Sequence, residues 1–147
     1  MSPDKDAALV KDFPHLFGDR SAPMNQTAMC WGFECSDGWE PLIRRAAEKL
    51  EPLIVQWIDE RIKNGETEQL EMYGFPRASQ IKEKFGTLRF YLTVGTDEMH
   101  KIVSKAEKKS AKICEQCGAK GKLRGTGWVF TMCNKCWKKH KVERGIK

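Results

Sequence analysis

Cys114-Glu-Gln-Cys117, then fifteen residues, then Cys133-Asn-Lys-Cys136 is the strongest chemical signal in this 147-residue chain. Zinc favours four tetrahedral sulfur or nitrogen ligands, and a structural site leaves no position open. Two residues between cysteines let one tight turn aim both thiolates at one ion, and the interval between the pairs suits a four-cysteine site. Zn²⁺ held by Cys114, Cys117, Cys133 and Cys136 is therefore the expected cofactor. The alternative is a disulfide framework of the kind found in oxidising compartments. The opening Met-Ser-Pro-Asp-Lys-Asp lacks the apolar core of a secretion signal, which favours a cytoplasmic location and metal. His140 falls four residues after Cys136 and could replace one ligand, but with four cysteines present a surface histidine is the simpler reading.

Between the pairs, Lys120–Arg124 and Trp128–Met132 flank Gly125-Thr126-Gly127, the pattern of a short hairpin. The residues after Cys136 read as a helix that ends at Gly145. Knuckle, hairpin and helix together predict a treble-clef module, with a zinc ribbon as the alternative if a strand replaces the helix.

Upstream, apolar residues recur from Trp39 through Leu42, Ile43, Ala46, Ala47, Leu50, Leu53, Ile54, Trp57, Ile58 and Ile62. That spacing is one buried helix face. Because the stripe keeps phase across Pro52, one kinked helix is expected, opened by an Asp37–Glu40 capping pair and closed at Asn64-Gly65. Residues 66–76 read as a loop or a short helical turn. Leu88, Phe90, Leu92 and Val94 alternate with polar residues, as in a strand with one buried face, and Lys84-Phe-Gly-Thr87 suits a type II turn before it. Thr96, Asp97 and Glu98 open a further helix whose inner face is Met99, Ile102, Val103, Ala106 and Ile113. Residues 1–29 read as loop-rich, anchored by Phe13, Leu16 and Phe17. Cys30 and Cys35 are expected to be core thiols; half of a second metal site, with His15 as a third ligand, is the alternative. The fold class is α+β: a long kinked helix on a small antiparallel hairpin or sheet, plus the zinc module. The expected division is an acidic body, 1–95, and a basic helix with the module, 96–147.

Charge follows that division. Residues 1–100 hold 12 Lys and Arg against 17 Asp and Glu, a net −5, and residues 101–147 hold 14 against 3, a net +11. Positive charge at that density suits phosphate backbones or an acidic protein face; a solvated basic helix is the plainer account. No apolar run approaches the roughly 20 residues of a membrane helix.

Phe33-Glu-Cys-Ser-Asp-Gly-Trp39, Ile81-Lys-Glu-Lys-Phe-Gly-Thr-Leu-Arg-Phe-Tyr91 and Cys114-x2-Cys117-Gly118, in that order, resemble a family of uncharacterised small phage and prophage proteins. The resemblance implies action in the bacterial cytoplasm and brings no reaction or catalytic residue with it.

Serine-hydrolase, zinc-protease and P-loop motifs are absent from the sequence. A treble-clef nuclease of the His-Asn-His type needs a general-base histidine in the hairpin, and residues 118–132 hold neither histidine nor acid. Glu34, Asp37, Glu40, Glu83 and Asp97 are scattered, with solvated or capping roles. The expected function is non-enzymatic: nucleic-acid binding, DNA or RNA, with Arg124, Lys135, Lys138, Lys139, Lys141 and Arg144 on phosphates. Trp128 or Trp137 could stack on bases, although each is expected in the module's own core. The alternative is a protein-binding module that engages or inhibits a host bacterial protein.

Overall fold

The computed structural model describes residues 1–146. The chain is α+β, with a three-stranded and a two-stranded sheet. The first 29 residues are more ordered than a loop-rich arm. Helix α1 spans Pro3–Asp12, with Pro3 in its first turn beside Asp4 and Asp6, where a missing N–H and negative charge are both tolerated. Leu9 of α1 is buried, and Phe13, Leu16 and Phe17 enter the core as expected. Short 3₁₀ turns follow at Gly18–Ser21 and Ala28–Trp31. Only one face of α1 is apolar, too little for the periodicity to stand out in a charged segment.

Strand β1, Phe33–Glu34, pairs in parallel with β2, Ala78–Lys84, which pairs antiparallel with β3, Thr87–Leu92. Helix α2, Glu40–Lys63, runs without a break through Pro52. Its first half buries Leu42, Ile43, Ala46, Ala47, Leu50 and Ile54; Leu53, Trp57 and Ile58 are half-buried and Ile62 is exposed. The Asp37–Glu40 capping pair does not form. Asp37 lies in a 3₁₀ turn, Asp37–Trp39, and its carboxylate accepts the Ser2 N–H at 2.7 Å, while Glu40 accepts from Arg44. Residues 66–76 contain a short helix, α3, Thr67–Tyr73.

The β2–β3 turn also differs from expectation. Phe85 and Gly86 have φ of 53° and 77°. Two positive values make this the type I′ arrangement, whose twist matches paired strands, and not type II. Strand β3 ends at Leu92, leaving Val94 exposed.

Thr96 caps α4, Asp97–Ser110, by accepting the Met99 N–H. Met99, Val103 and Ala106 join the body's core, so this basic helix packs on α2 and β3. It also covers the sheet's edge. The Leu88 N–H donates to Ser110 Oγ at 2.9 Å, and the Phe90 N–H to a Glu107 carboxylate oxygen at 2.9 Å, satisfying donors that an open edge strand would leave free.

Candidate metal centre

The module begins directly after α4. Ile113 and Lys120 form an isolated bridge, the Cys114 N–H donates to the Ala119 carbonyl at 2.7 Å, and the Gly118 N–H donates to the Cys114 carbonyl at 2.8 Å. This is the tight knuckle expected of the first pair. Strands β4, Lys122–Arg124, and β5, Phe130–Met132, form the hairpin. Helix α5, Asn134–Arg144, follows and ends on Gly145. A helix where a ribbon would place a strand makes the order that of a treble clef.

Cys133 is the N-cap of α5, its sulfur accepting the Cys136 N–H at 3.4 Å. The second pair therefore sits on the first turn of a helix, while the first sits on the knuckle. The four Sγ atoms all lie within 4.8 Å of one another, with Cys117 and Cys133 at 3.7 Å. Four sulfurs about 2.3 Å from one ion in a tetrahedron are about 3.8 Å apart, so this group could hold a metal ion. It is the one such cluster among the described residues. The Cys136 N–H bond draws the Cys133 thiol down to about 7, whereas burial pushes Cys136 above the ordinary thiol range. Thiol protons crowded this way compete, and a metal that displaces them removes the conflict.

What locks the cluster onto the body is a set of contacts that sequence patterns did not expose. The Gly38 N–H donates to the Glu115 carbonyl at 2.7 Å, and Trp39 Nε1 donates to the Ile113 carbonyl at 2.8 Å. The buried Glu115 carboxylate accepts the Ser36 N–H at 3.0 Å. A Cβ on residue 38 would stand 2.2 Å from the Cys114 carbonyl oxygen and 2.4 Å from that of Glu115, so only glycine fits. On the other side, the Thr131 hydroxyl donates to the Gly86 carbonyl. The β2–β3 turn thus abuts β5 of the module. The three stretches that carried the resemblance therefore meet at one junction, around residues 36–39, 86 and 114–118.

The second-site alternative does not form. Nδ1 of His15 lies 2.7 Å from Glu51, whose carboxylate also accepts the His15 and Leu16 N–H groups. Cys35 is buried, and burial, with Glu115, Asp37 and Glu83 nearby, pushes its thiol up to about 12, the mark of an inert core cysteine. The other scattered acids are placed locally too: Glu83 accepts the Gly86 N–H at 2.6 Å, Glu34 accepts from Gln80, and Asp97 stands in the first turn of α4.

Among the expected phosphate contacts, Lys135, Lys138, Lys139 and Arg144 are exposed and Lys141 is half-buried. Lys139 pairs with Glu143 at 3.7 Å. Arg124 is placed differently. Its guanidinium donates to the Met132 carbonyl at 2.8 Å and to Asn134, tying β4 to the start of α5. His140 stays out of the sulfur cluster and stacks on Trp137, ring centroids 5.5 Å apart and 18° between planes. Trp137 is half-buried against Phe130. Trp128, expected in the module's core, is 78% exposed, because a small hairpin has no second layer to cover its loop.

Comparisons with protein families, with curated proteins and with solved structures return no match. The resemblance of the three stretches rests on those residues alone. No helix among the described residues is long and apolar enough to cross a membrane.

Proposed function

We propose that the chain is a zinc protein whose C-terminal module binds nucleic acid. Zinc suits the donor set, since four thiolates at tetrahedral spacing form a closed structural site with no position for a reacting water. Six unpaired cysteines fit the reducing bacterial cytoplasm that the phage-like resemblance implies. The observation that carries the nucleic-acid reading is helix α5. None of its residues is fully buried, and Lys135, Lys138 and Arg144 face solvent without an ion-pair partner among the described residues. Such a helix brings Cys136 to the sulfur cluster, packs Trp137 and His140 on Phe130, and otherwise presents charge. Cations on phosphate release counterions, so affinity should fall linearly with salt on logarithmic axes. Fluorescence anisotropy of labelled oligonucleotides across a salt series tests this. Changing Lys135, Lys138 and Arg144 to Ala should flatten the slope by up to about three units on duplex DNA while metal content is unchanged. An unchanged slope, or no binding at low salt, refutes the reading.

The groove between α2 and α4 favours a second reading. Leu42, Ala46, Ile102 and Ala106 form its floor, and Arg45, Lys49, Lys101, Lys105 and Lys109 line it alongside only two acids, Glu48 and Glu98. None of the five cations has an ion-pair partner among the described residues. An apolar floor rimmed by cations fits an acidic amphipathic helix of a host protein. Capture of such a partner from nuclease-treated lysate, lost on changing Lys101 and Lys105 to Glu, would support it.

A further inference from the structure

The β4–β5 loop and α5 enclose an open cleft of about 460 Å³ lined by Gly125, Thr126, Trp128, Phe130, Trp137, Lys141 and Ile146. Its two indoles differ in how they are held. Trp137 is held from one side by His140, stacked at 5.5 Å, and Phe130, at 6.5 Å, which are themselves 4.7 Å apart. Trp128 has no aromatic partner among the described residues and keeps most of its surface in water. At 78% exposure, Trp128 contributes little burial to folding. It is a large flat apolar face held out at the mouth of a cleft. The cleft's lining includes one cation, Lys141, and no acid; the nearest acid along α5, Glu143, pairs with Lys139 and lines a separate cleft beside Cys117 and Cys136.

We infer that Trp128 and Trp137 form a stacking site for an unpaired nucleobase, with Lys141 and the exposed Lys138 on the flanking phosphates, so that the module binds single-stranded nucleic acid. This deepens the nucleic-acid reading and rests on it. The ligand must offer both a flat π face and a negative charge near it, since Lys141 lines the same cleft as both indoles. A duplex offers the charge but keeps its faces stacked on neighbouring bases, whereas a single strand offers both. Every base has a π face, so sequence preference should be weak.

The test uses the full-length, metal-loaded protein with a labelled 12-nucleotide single strand and the duplex of the same sequence. Single strand is expected to bind at least about 10-fold more tightly than duplex and to quench tryptophan emission. Trp128→Ala should weaken single-strand binding about 10-fold, leave duplex binding and the salt slope unchanged, and Trp128→Phe should restore much of the loss. Because the side chain is exposed, metal content and thermal stability should not change. Equal loss on single strand and duplex, or no loss on either, overturns the stacking site while leaving the nucleic-acid reading intact. Failure of both ligands to bind wild-type protein at low salt removes the broader reading and this one with it.

Discussion

From Leu9 to Ala106, buried apolar residues form one continuous cluster drawn from α1, the sheet, α2 and α4, with Trp39, Phe17 and Phe90 among its largest members. Beyond Ile113, only Cys114 and Met132 are buried hydrophobics among the described residues. The body resembles an ordinary small domain, with burial offsetting chain entropy. The module is too small for that and needs another source of order, which its four clustered sulfurs would supply by holding one metal ion. The difference explains why the module can leave tryptophan, leucine and valine side chains in water: its geometry does not depend on burying them. The two regions nevertheless share a junction at Gly38, where backbone meets backbone.

The largest effect that separates the regions should come from Cys117→Ser. Losing one ligand should remove metal-linked folding energy on the order of 10 kcal/mol, unfolding residues beyond about 113 while the body persists. Elemental analysis should show one zinc per wild-type chain and a large loss in the variant, and hydrogen exchange should lose protection across 114–140 only. Retained protection there would mean that the module holds itself together without metal.

Leu50→Ala probes the opposite region. Leu50 is fully buried in α2, and truncation should cost about 3 kcal/mol through lost transfer energy and the cavity left behind. Denaturant melts should show the body weakened with metal content intact. Loss of metal in this variant would show that the module depends on the body for its ligand geometry.

Gly38→Ala acts on the junction itself. Its Cβ has no room beside the Cys114 and Glu115 carbonyls, so the backbones must separate, at about 2 kcal/mol. The bond from Gly38 N–H to Glu115 and that from Trp39 to Ile113 should weaken together. Splitting of one unfolding transition into two would be the expected readout; a single unshifted transition would show that the junction carries no coupling.

The smallest effect concerns Asp37, whose carboxyl is held below its ordinary range chiefly by the Ser2 N–H. A carboxylate with a lowered folded-state pKa stabilises above its unfolded value of about 4 and loses that contribution as pH falls through the lowered one. The Asp37 side chain is partly exposed and Lys5 lies 3.7 Å away, so solvent screening keeps the term below about 1 kcal/mol. Asp37→Asn should lower the melting temperature slightly at pH 6, and the gap to wild type should close toward pH 3. A gap that widens with acid would mean that the carboxyl is stabilised in its protonated form.

Much of this was legible in the sequence because it is local. Ligand spacing in the two Cys-x2-Cys pairs, the apolar stripe of α2, the alternation from Leu88 to Leu92 and the Thr96 cap each depend on residues a few positions apart. Helix α1 is not legible in the sequence because its single buried residue, Leu9, gives no period to read. The turn at Phe85-Gly86 reads as type II in the sequence because type I′ requires a phenylalanine at positive φ, which only the twist of the paired strands justifies. Arg124 and Trp128 exchanged their expected roles for a related reason: charge and apolarity suggest surface and core, yet which side chain is covered depends on how many layers stand above it.

The sequence by itself therefore determined which four cysteines come together in the module, the acidic and basic division of charge, and the α+β class. Tertiary structure alone decided that Gly38 must be glycine, that the basic helix α4 belongs to the body's core, and that Trp128 stands in water. Periodicity and spacing report what a residue does within its own helix, strand or turn. Close approach between residues 38 and 114, or 86 and 131, is set by packing between elements far apart in the chain, and no local pattern encodes it.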